Sequence, residues 1–125
     1  MQLGRLDHVN IRTTRLDEMT RWYERVLGMT VGERPRFPFP GVWLFADGHA
    51  AVHLVGIEKD LANTEPRIEH FAFQATGMRA LVERLKAAGE HYELWPVPGT
   101  GILQVNVWDP DGNHIHIDFR AREET

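Results

Sequence analysis

The amino-acid sequence predicts an α+β fold made of two copies of one module, in which a strand is followed by a helix and three further strands. Two apolar stripes with helical spacing each follow an alternating, strand-like segment, and three more strand-like segments follow each stripe. Short motifs also recur in the same order in both halves. A chain of 125 residues has the length of one domain, and we expect module one at about 4–56, a linker at 57–67 and module two at about 68–120.

Module one begins with an alternating strand at 6–13, and a helix follows it. Thr13 or Thr14 can cap the beginning of this helix, and Gly28 is placed to end it. One apolar stripe marks the buried face of the helix: Leu16, Met19, Tyr23, Val26 and Leu27. Three more strands are expected at 29–33, 42–45 and 51–55, with a proline-rich loop at 34–41 and a hairpin turn at Asp47–Gly48.

The same pattern begins again after the polar, aperiodic segment 57–67. A strand is expected at 68–74, and a helix follows it and ends at Gly89. The apolar stripe of this helix consists of Met78, Leu81, Val82, Leu85 and Ala88. The remaining strands are expected at 91–94, 102–108 and 114–119, and the last two turn at Asp111–Gly112.

Matching motifs indicate that the two modules are copies of one unit. LDHVNI aligns with IEHFAF, which places His8 over His70 at a shift of 62 residues (70 − 8). The last strands place His53 over His116 at a shift of 63 (116 − 53). The Asp-Gly turns and the PFPG and PVPG loops follow the same order. A duplicated module explains all of these matches together.

The recurrence of the histidines predicts a metal site. Four of the seven histidines occupy equivalent positions in the two modules: His8, His53, His70 and His116. If the modules face each other across a pseudo-twofold axis, these side chains can converge on one point. Neutral imidazoles suit Zn²⁺, Ni²⁺, Fe²⁺ or Co²⁺, whereas Mg²⁺ and Ca²⁺ prefer oxygen ligands. The alternative is that each histidine is a partly buried strand residue with a satisfied hydrogen bond.

Composition limits the partners and the location that we expect. The net charge is −4 and the 14 Lys and Arg are scattered, which argues against a nucleic-acid or anionic-membrane surface. The chain contains no cysteine, so no thiolate site and no disulfide framework can form. No signal peptide or membrane-spanning segment is recognisable, and we expect a cytoplasmic protein that acts on a small molecule.

Three motifs resemble those of one family, the vicinal oxygen chelate superfamily: LDHVNI at the first strand, RWYERVLGM at the end of the first helix, and DPDGN before the last strand. The family includes glyoxalase I, fosfomycin-resistance thiol transferases, methylmalonyl-CoA epimerase, extradiol dioxygenases and bleomycin-resistance proteins, and the resemblance covers about 3–119. It implies two βαβββ modules in pseudo-twofold pairing, with curved mixed sheets that enclose a central metal site.

The resemblance also assigns roles to individual residues. His8 and His70 match the first-strand ligands of the family, and His53 matches a position that carries His, Glu, Gln or no ligand. His116 stands where members usually place a Glu that is both ligand and proton-transferring base. This departure leaves no carboxylate at the usual position of the base. His116 could act as the base when displaced from the metal, and Asp118 could orient its ring or accept the proton, although Asp118 could also be a solvated acid.

Four further residues are candidates for the substrate pocket. Asn10 shares the strand face of His8, and Gln104 lies on the polar face of the penultimate strand. Trp43 lies on a strand with two apolar faces, and Phe39 lies on the loop 34–41, which is interpreted either as a lid over a site or as a rigid packed loop. In the lid interpretation, Arg34 and Arg36 would meet an acidic substrate.

Three functions remain open at this point. The favoured hypothesis is a divalent-metal enzyme of lyase, isomerase or transferase type that acts on a small oxygen-rich metabolite. The second is an Fe²⁺-dependent dioxygenase with an all-histidine site, and the third is a metal-free binding protein that sequesters a ligand. A homodimer is expected, because large aromatic side chains lie on and beside the proline-rich loop and because dimers are common in the resembled family.

Overall fold

The computed structural model describes residues 1–2, 5–59, 61 and 67–123. The secondary structure elements are, in order, β1 Val9–Thr13, α1 Leu16–Arg25, β2 Thr30–Gly32, β3 Gly41–Ala46, β4 His49–Gly56, β5 His70–Gln74, α2 Met78–Ala87, β6 Tyr92–Val97, β7 Ile102–Trp108, β8 His114–Arg120 and a short 3₁₀ helix, Ala121–Glu123. The chain divides into two compact units at 1–62 and 63–125. The predicted linker 57–67 lies partly outside the described residues, at 60 and 62–66.

Each unit contains one four-stranded mixed sheet with the same topology. The strand orders are β1-β4-β3-β2 and β5-β8-β7-β6, so the first and last strands of each module are neighbours. These neighbours run parallel and the other pairs antiparallel. Asn10 pairs with His53 in one unit, and Ala72 pairs with His116 in the other. The α+β class and the two βαβββ modules are therefore confirmed, and the parallel registers agree with the sequence shifts.

The core of the first unit lies between α1 and its sheet. Met19, Tyr23 and Val26 are buried, as the apolar stripe predicts. Trp22 is also buried and packs edge-on against Tyr23 with ring centroids 4.9 Å apart. The predicted stripe does not include Trp22. The helix packs on β3 and β4, whose buried side chains include Leu44.

The buried apolar residues of the second unit lie on the stripe of α2 and on one face of the two long strands. Leu81 and Leu85 of α2 are buried. The aliphatic face of β7 and β8 is buried as well: Val105, Val107, Ile115, Ile117 and Phe119. Since successive strand side chains alternate between faces, this burial turns the polar residues of β7 and β8 to the opposite face.

Two turns fix the register of the strands that carry the histidines. Asp47 and Gly48 have φ values of 53° and 71°, the pair of positive angles that a type I′ hairpin turn requires. Before β8, the buried Asp109 accepts hydrogen bonds at Oδ1 from the backbone N–H groups of Asp111 (3.0 Å) and Asn113 (2.9 Å). A one-residue slip would move every side chain of the strand to the other face, so these turns determine where His53 and His116 point.

The boundaries of some elements differ from the predictions. The strand predicted at 6–13 begins at Val9, so His8 lies one residue before β1. The N-cap of α1 is Arg15 and neither Thr13 nor Thr14, and Thr13 Oγ1 instead accepts a hydrogen bond from the Arg15 N–H at 2.9 Å. The strand predicted at 91–94 continues to Val97. It can include Pro96 because β6 is an edge strand, with a neighbour on one side.

Candidate metal centre

The polar face of β8 carries His114, His116 and Asp118. His116 is buried, and its Nδ1 donates a hydrogen bond to Asp118 Oδ1 at 2.6 Å. This bond fixes the tautomer of the ring and leaves the Nε2 lone pair of His116 available. Gln104 pairs with Asp118 in the register of β7 and β8 and is half-buried.

His70, the first residue of β5, lies beside this face. Its ring centroid is 4.5 Å from that of His116 and 5.3 Å from that of His114. Its Nδ1 donates a hydrogen bond to the carboxylate of Glu69, which leaves Nε2 available. The structure therefore brings together two of the predicted ligands, His70 and His116, within the second unit.

His114 is enclosed by polar and aromatic neighbours on the same face. Its Nε2 lies 2.7 Å from Asn106 Oδ1, its Nδ1 lies 3.0 Å from Glu69 Oε1, and its ring stacks on Trp108 at 5.1 Å. Hydrogen bonds from His70 and then from His114 lower the pKa of Glu69. Glu69 is therefore an ionised acceptor at neutral pH.

In the first unit, His53 is stacked between two rings. Its centroid is 4.0 Å from that of His8 and 4.0 Å from that of Trp43, with interplanar angles of 12° and 8°. Its Nε2 donates to the Ala50 carbonyl at 3.1 Å, which leaves Nδ1 available. Burial, followed by the repulsion of His8, lowers the pKa of His53. The neutral form that binds metal is therefore favoured at this position.

His8 has a carboxylate partner of the same kind as His70. Its Nδ1 donates to Asp7 Oδ2 at 2.7 Å, and this hydrogen bond is the main cause that lowers the pKa of Asp7. His49, to which the sequence assigned no role, donates from Nε2 to the Asp7 carbonyl at 2.6 Å. His49 thereby ties the segment that carries His8 to the beginning of β4.

The loop 34–41 forms an aromatic cluster that continues to His53. Phe39 stacks on Phe37 at 5.0 Å, and Phe37 lies 6.5 Å from Trp43. The Arg34 guanidinium covers both phenylalanine rings, and its Nη2 donates to the Phe39 carbonyl at 3.2 Å. Arg34 thus holds the loop, which favours the rigid-loop interpretation over a salt bridge to substrate. Asn10 is exposed and pairs in register with His53.

The donor set of each unit suits a transition-metal ion. Three of the four predicted ligands donate Nδ1–H to a carboxylate and keep Nε2 free, which is the usual arrangement of metal-ligating histidines. His53 keeps Nδ1 free instead. Ligand atoms of Glu69, His70 and His114 also lie within 4.8 Å of one another, close enough to hold an ion. Neutral nitrogens with at most one carboxylate favour Zn²⁺, Ni²⁺, Fe²⁺ or Co²⁺.

Sequence reasoning named Asp118 beside His116 but missed the acidic residues beside the other histidines. Asp7 and Glu69 precede His8 and His70 at the same shift of 62 residues (69 − 7), so the repeated acid–histidine pair was a usable signal. The contacts of Asn106 and Glu69 with His114 depend on pairing between distant strands, and no local pattern indicates them.

Comparisons with known proteins agree with this architecture. A model of the Glyoxalase/Bleomycin resistance protein/Dioxygenase superfamily matches residues 5–117. The Arabidopsis thaliana protein Glyoxylase I 4 is 33% identical over an alignment of 125 residues. The alignment covers 94% of this chain and 71% of that protein. Among the described residues, no helix is long and apolar enough to cross a membrane.

Solved structures share the fold at low sequence identity. A glyoxylase/bleomycin resistance protein/dioxygenase domain from Frankia has a TM-score of 0.79 at 21% identity, with 95% of this chain and 99% of that chain covered. The fosfomycin resistance protein FosX from Listeria monocytogenes has a TM-score of 0.74 at 15% identity, with 94% of each chain covered. The resemblance inferred from the sequence motifs is thus confirmed, and the chain belongs to the Glyoxalase/Bleomycin resistance protein/Dioxygenase superfamily.

Proposed function

We propose that this protein is a divalent-metal-dependent enzyme that acts on a small oxygen-rich metabolite, with lyase, isomerase or transferase chemistry. The observation that carries the proposal is the hydrogen bonding of the histidine ring nitrogens. In each unit, two predicted ligands lie side by side, and each keeps one ring nitrogen free while the other nitrogen donates to an acceptor. Membership of the superfamily and the similarity to Glyoxylase I 4 support an enzyme.

Four histidines would hold the ion: His8, His53, His70 and His116. A divalent ion bound by neutral ligands supplies Lewis-acid polarisation of adjacent substrate oxygens. Asp118 accepts a hydrogen bond from the Nδ1–H of His116. In this proposal, Asp118 orients His116, and the pair is the candidate for moving a proton at the substrate. Asn10, Phe39, Trp43 and Gln104 remain the candidates for substrate contact.

A second candidate function is an Fe²⁺-dependent dioxygenase. The observation in its favour is the residue at the last-strand ligand position, which is His116 where related enzymes usually carry Glu. Without that carboxylate, the usual proton-transferring base is absent, and neutral histidines bind Fe²⁺ well. The third candidate is a metal-free binding protein. Under this hypothesis the purified chain contains no metal.

Elemental analysis of the full chain, purified without added metal, tests the proposal. We expect one transition-metal ion per chain, as the hypothesis of one shared ion requires, and its loss in a His70→Ala variant. His91→Ala is the control, because this exposed histidine pairs with Glu93 and is not a predicted ligand. Zinc, nickel or cobalt would favour the first function and iron the second. A protein that neither retains metal nor binds it in titration would contradict both enzymes.

A further inference from the structure

We propose that Asn106, His114 and Glu69 form a positioning chain that fixes the ring of His70, so that Nε2 is its metal-binding nitrogen. The inference rests on the proposed metal-dependent function and assigns roles to three residues that lie outside the predicted ligand set. It also explains why the histidine face of β8 carries His114 in addition to His116. None of the three residues is proposed to touch the metal.

The chain begins at Asn106, which is 0% exposed at the centre of β7. Its amide nitrogen donates to the Glu93 carbonyl on the neighbouring strand β6 at 3.4 Å. That bond turns Oδ1 toward His114, whose Nε2 lies 2.7 Å away. The two contacts hold the Asn106 amide between β6 and the ring of His114. A buried amide with both ends paired is a fixed anchor.

His114 is held by Asn106 and in turn contacts Glu69. Its side chain is 10% exposed, and its ring stacks on Trp108 with an interplanar angle of 13°. With Nε2 bound to Asn106, Nδ1 faces Glu69 Oε1 at 3.0 Å. Both ring nitrogens therefore have a polar partner, Asn106 on one side and Glu69 on the other, and these two contacts fix the plane of the ring. His114 thus connects the buried amide of Asn106 to the Glu69 carboxylate and holds that carboxylate in place.

Glu69 completes the chain. Its side chain is 72% exposed, so packing alone would leave it free to rotate. Its two oxygens are nevertheless taken by two different histidines, Oε1 by His114 and Oε2 by the Nδ1 of His70. A carboxylate that accepts Nδ1–H fixes the ring orientation and raises the basicity of the opposite nitrogen. His70 Nε2 is thereby left as the ligand.

A competing arrangement uses the same residues as direct ligands. Ligand atoms of Glu69, His70 and His114 lie within 4.8 Å of one another, and one ion could replace the protons between them. The two arrangements differ in an observable way. The positioning chain keeps the proton on His70 Nδ1 when metal binds at Nε2, whereas direct ligation removes the Nδ1 proton of His114 and binds Glu69 to the ion.

Nitrogen-15 NMR of the imidazole groups in the full chain distinguishes them, since protonated, lone-pair and metal-bound ring nitrogens have different shifts. In the metal-free protein we expect His70 to be protonated on Nδ1, and this preference to be lost in Glu69→Gln. In the zinc-loaded protein we expect the shift of His70 Nε2 to move and that of Nδ1 to stay. Glu83→Gln, an exposed carboxylate on α2, is the control matched in charge.

Zinc titration by calorimetry gives the second readout. Glu69→Gln and His114→Phe, which keeps a ring against Trp108, should each weaken zinc binding by about 10- to 100-fold, the usual range for loss of a supporting residue. Glu83→Gln should bind like the parent. Circular dichroism checks that each variant folds. If His114→Phe does not fold, Glu69→Gln alone still tests the proposal.

The outcomes separate this inference from the proposed function. A parent chain that binds no zinc contradicts the metal-dependent function itself. A parent that binds zinc, with unchanged affinity and an unchanged His70 tautomer in Glu69→Gln, overturns the positioning chain alone. Metal-shifted nitrogen signals at His114 Nδ1 or His70 Nδ1 in the zinc-loaded protein would overturn it in favour of direct ligation.

Discussion

His53 is a residue whose surroundings change its acid–base behaviour. Burial is the largest cause that lowers its pKa below the ordinary value of 6.5, and repulsion by His8 is the second. As the pH falls below 6.5, the unfolded chain therefore takes up a proton at this position before the folded chain does. The unfolded state then binds more protons, so the free energy of unfolding decreases with falling pH until the folded pKa is also passed.

Replacing His53 with Gln should weaken this pH dependence. We expect the parent to lose more stability than His53→Gln between about pH 7.5 and 5.5, because the variant lacks the titrating group. Urea unfolding followed by circular dichroism at both pH values measures the difference. Equal losses in parent and variant would show that His53 titrates alike in the folded and unfolded chains. His91→Ala, which removes an exposed histidine, is the control.

His116 allows a test of the last-strand ligand position. His116→Ala should weaken zinc binding by about 10- to 100-fold or more, since even the loss of a supporting residue reaches that range. His116→Glu should keep the metal, because a carboxylate binds zinc at a distance close to that of imidazole. It would also place a base where the resembled enzymes carry one, and proton-transfer activity of glyoxalase or epimerase type should increase. Calorimetric titration decides, and tight binding by His116→Ala would exclude His116 as a ligand.

At the scale of elements, the loop 34–41 is held by one side chain. Arg34 lies over the rings of Phe37 and Phe39, at 5.0 Å and 5.5 Å from their centroids, and also donates to the loop backbone. Cation–π contacts at exposed sites contribute about 0.5–1 kcal/mol. The loop connects β2 to β3, so its conformation positions the aromatic rings next to Trp43 and His53.

Arg34→Met should therefore loosen the aromatic cluster. We expect the free energy of unfolding to fall by about 1–2 kcal/mol, from the lost cation–π contacts and the lost hydrogen bond. Fluorescence of Trp43 should change as well, because Phe37 would no longer be held beside it. Arg36→Met, an exposed arginine of the same loop, is the control. If both variants are equally stable, Arg34 does not hold the loop.

At the scale of the whole molecule, we propose a homodimer. Phe37 and Phe39 remain exposed on the loop, and Leu94 and Trp95 are exposed on the edge strand β6. Exposed aromatic and aliphatic groups of this size favour a protein interface. Light scattering at micromolar concentration should give twice 14.4 kDa, and a mass of one chain would contradict the proposal. Phe39→Asp and Trp95→Asp are two separate variants, and the one that yields a monomer would locate the interface.

Much of the fold followed from the sequence because its signals are local. Helical stripes such as Met19–Tyr23–Val26, strand alternation and Asp-Gly turns depend on neighbouring residues and need no knowledge of the partner strand. The repeat of His8 over His70 and of His53 over His116 likewise survives in the linear order, and the parallel registers of the two sheets reproduce it. The fold class, the two modules and the family were determined at this level.

Tertiary structure decided which groups that are distant in the sequence meet at the site. Glu69 and His114 are 45 residues apart, and they meet because β5 and β8 pair in parallel. Asn106 reaches His114 through the antiparallel register of β7 and β8, and Arg34 folds back on its own loop rather than facing outward. A hydrogen bond requires two groups within about 3 Å in a defined direction. Periodicity identifies the face on which each group lies, but only the paired strands bring Glu69 and Asn106 to the two ring nitrogens of His114.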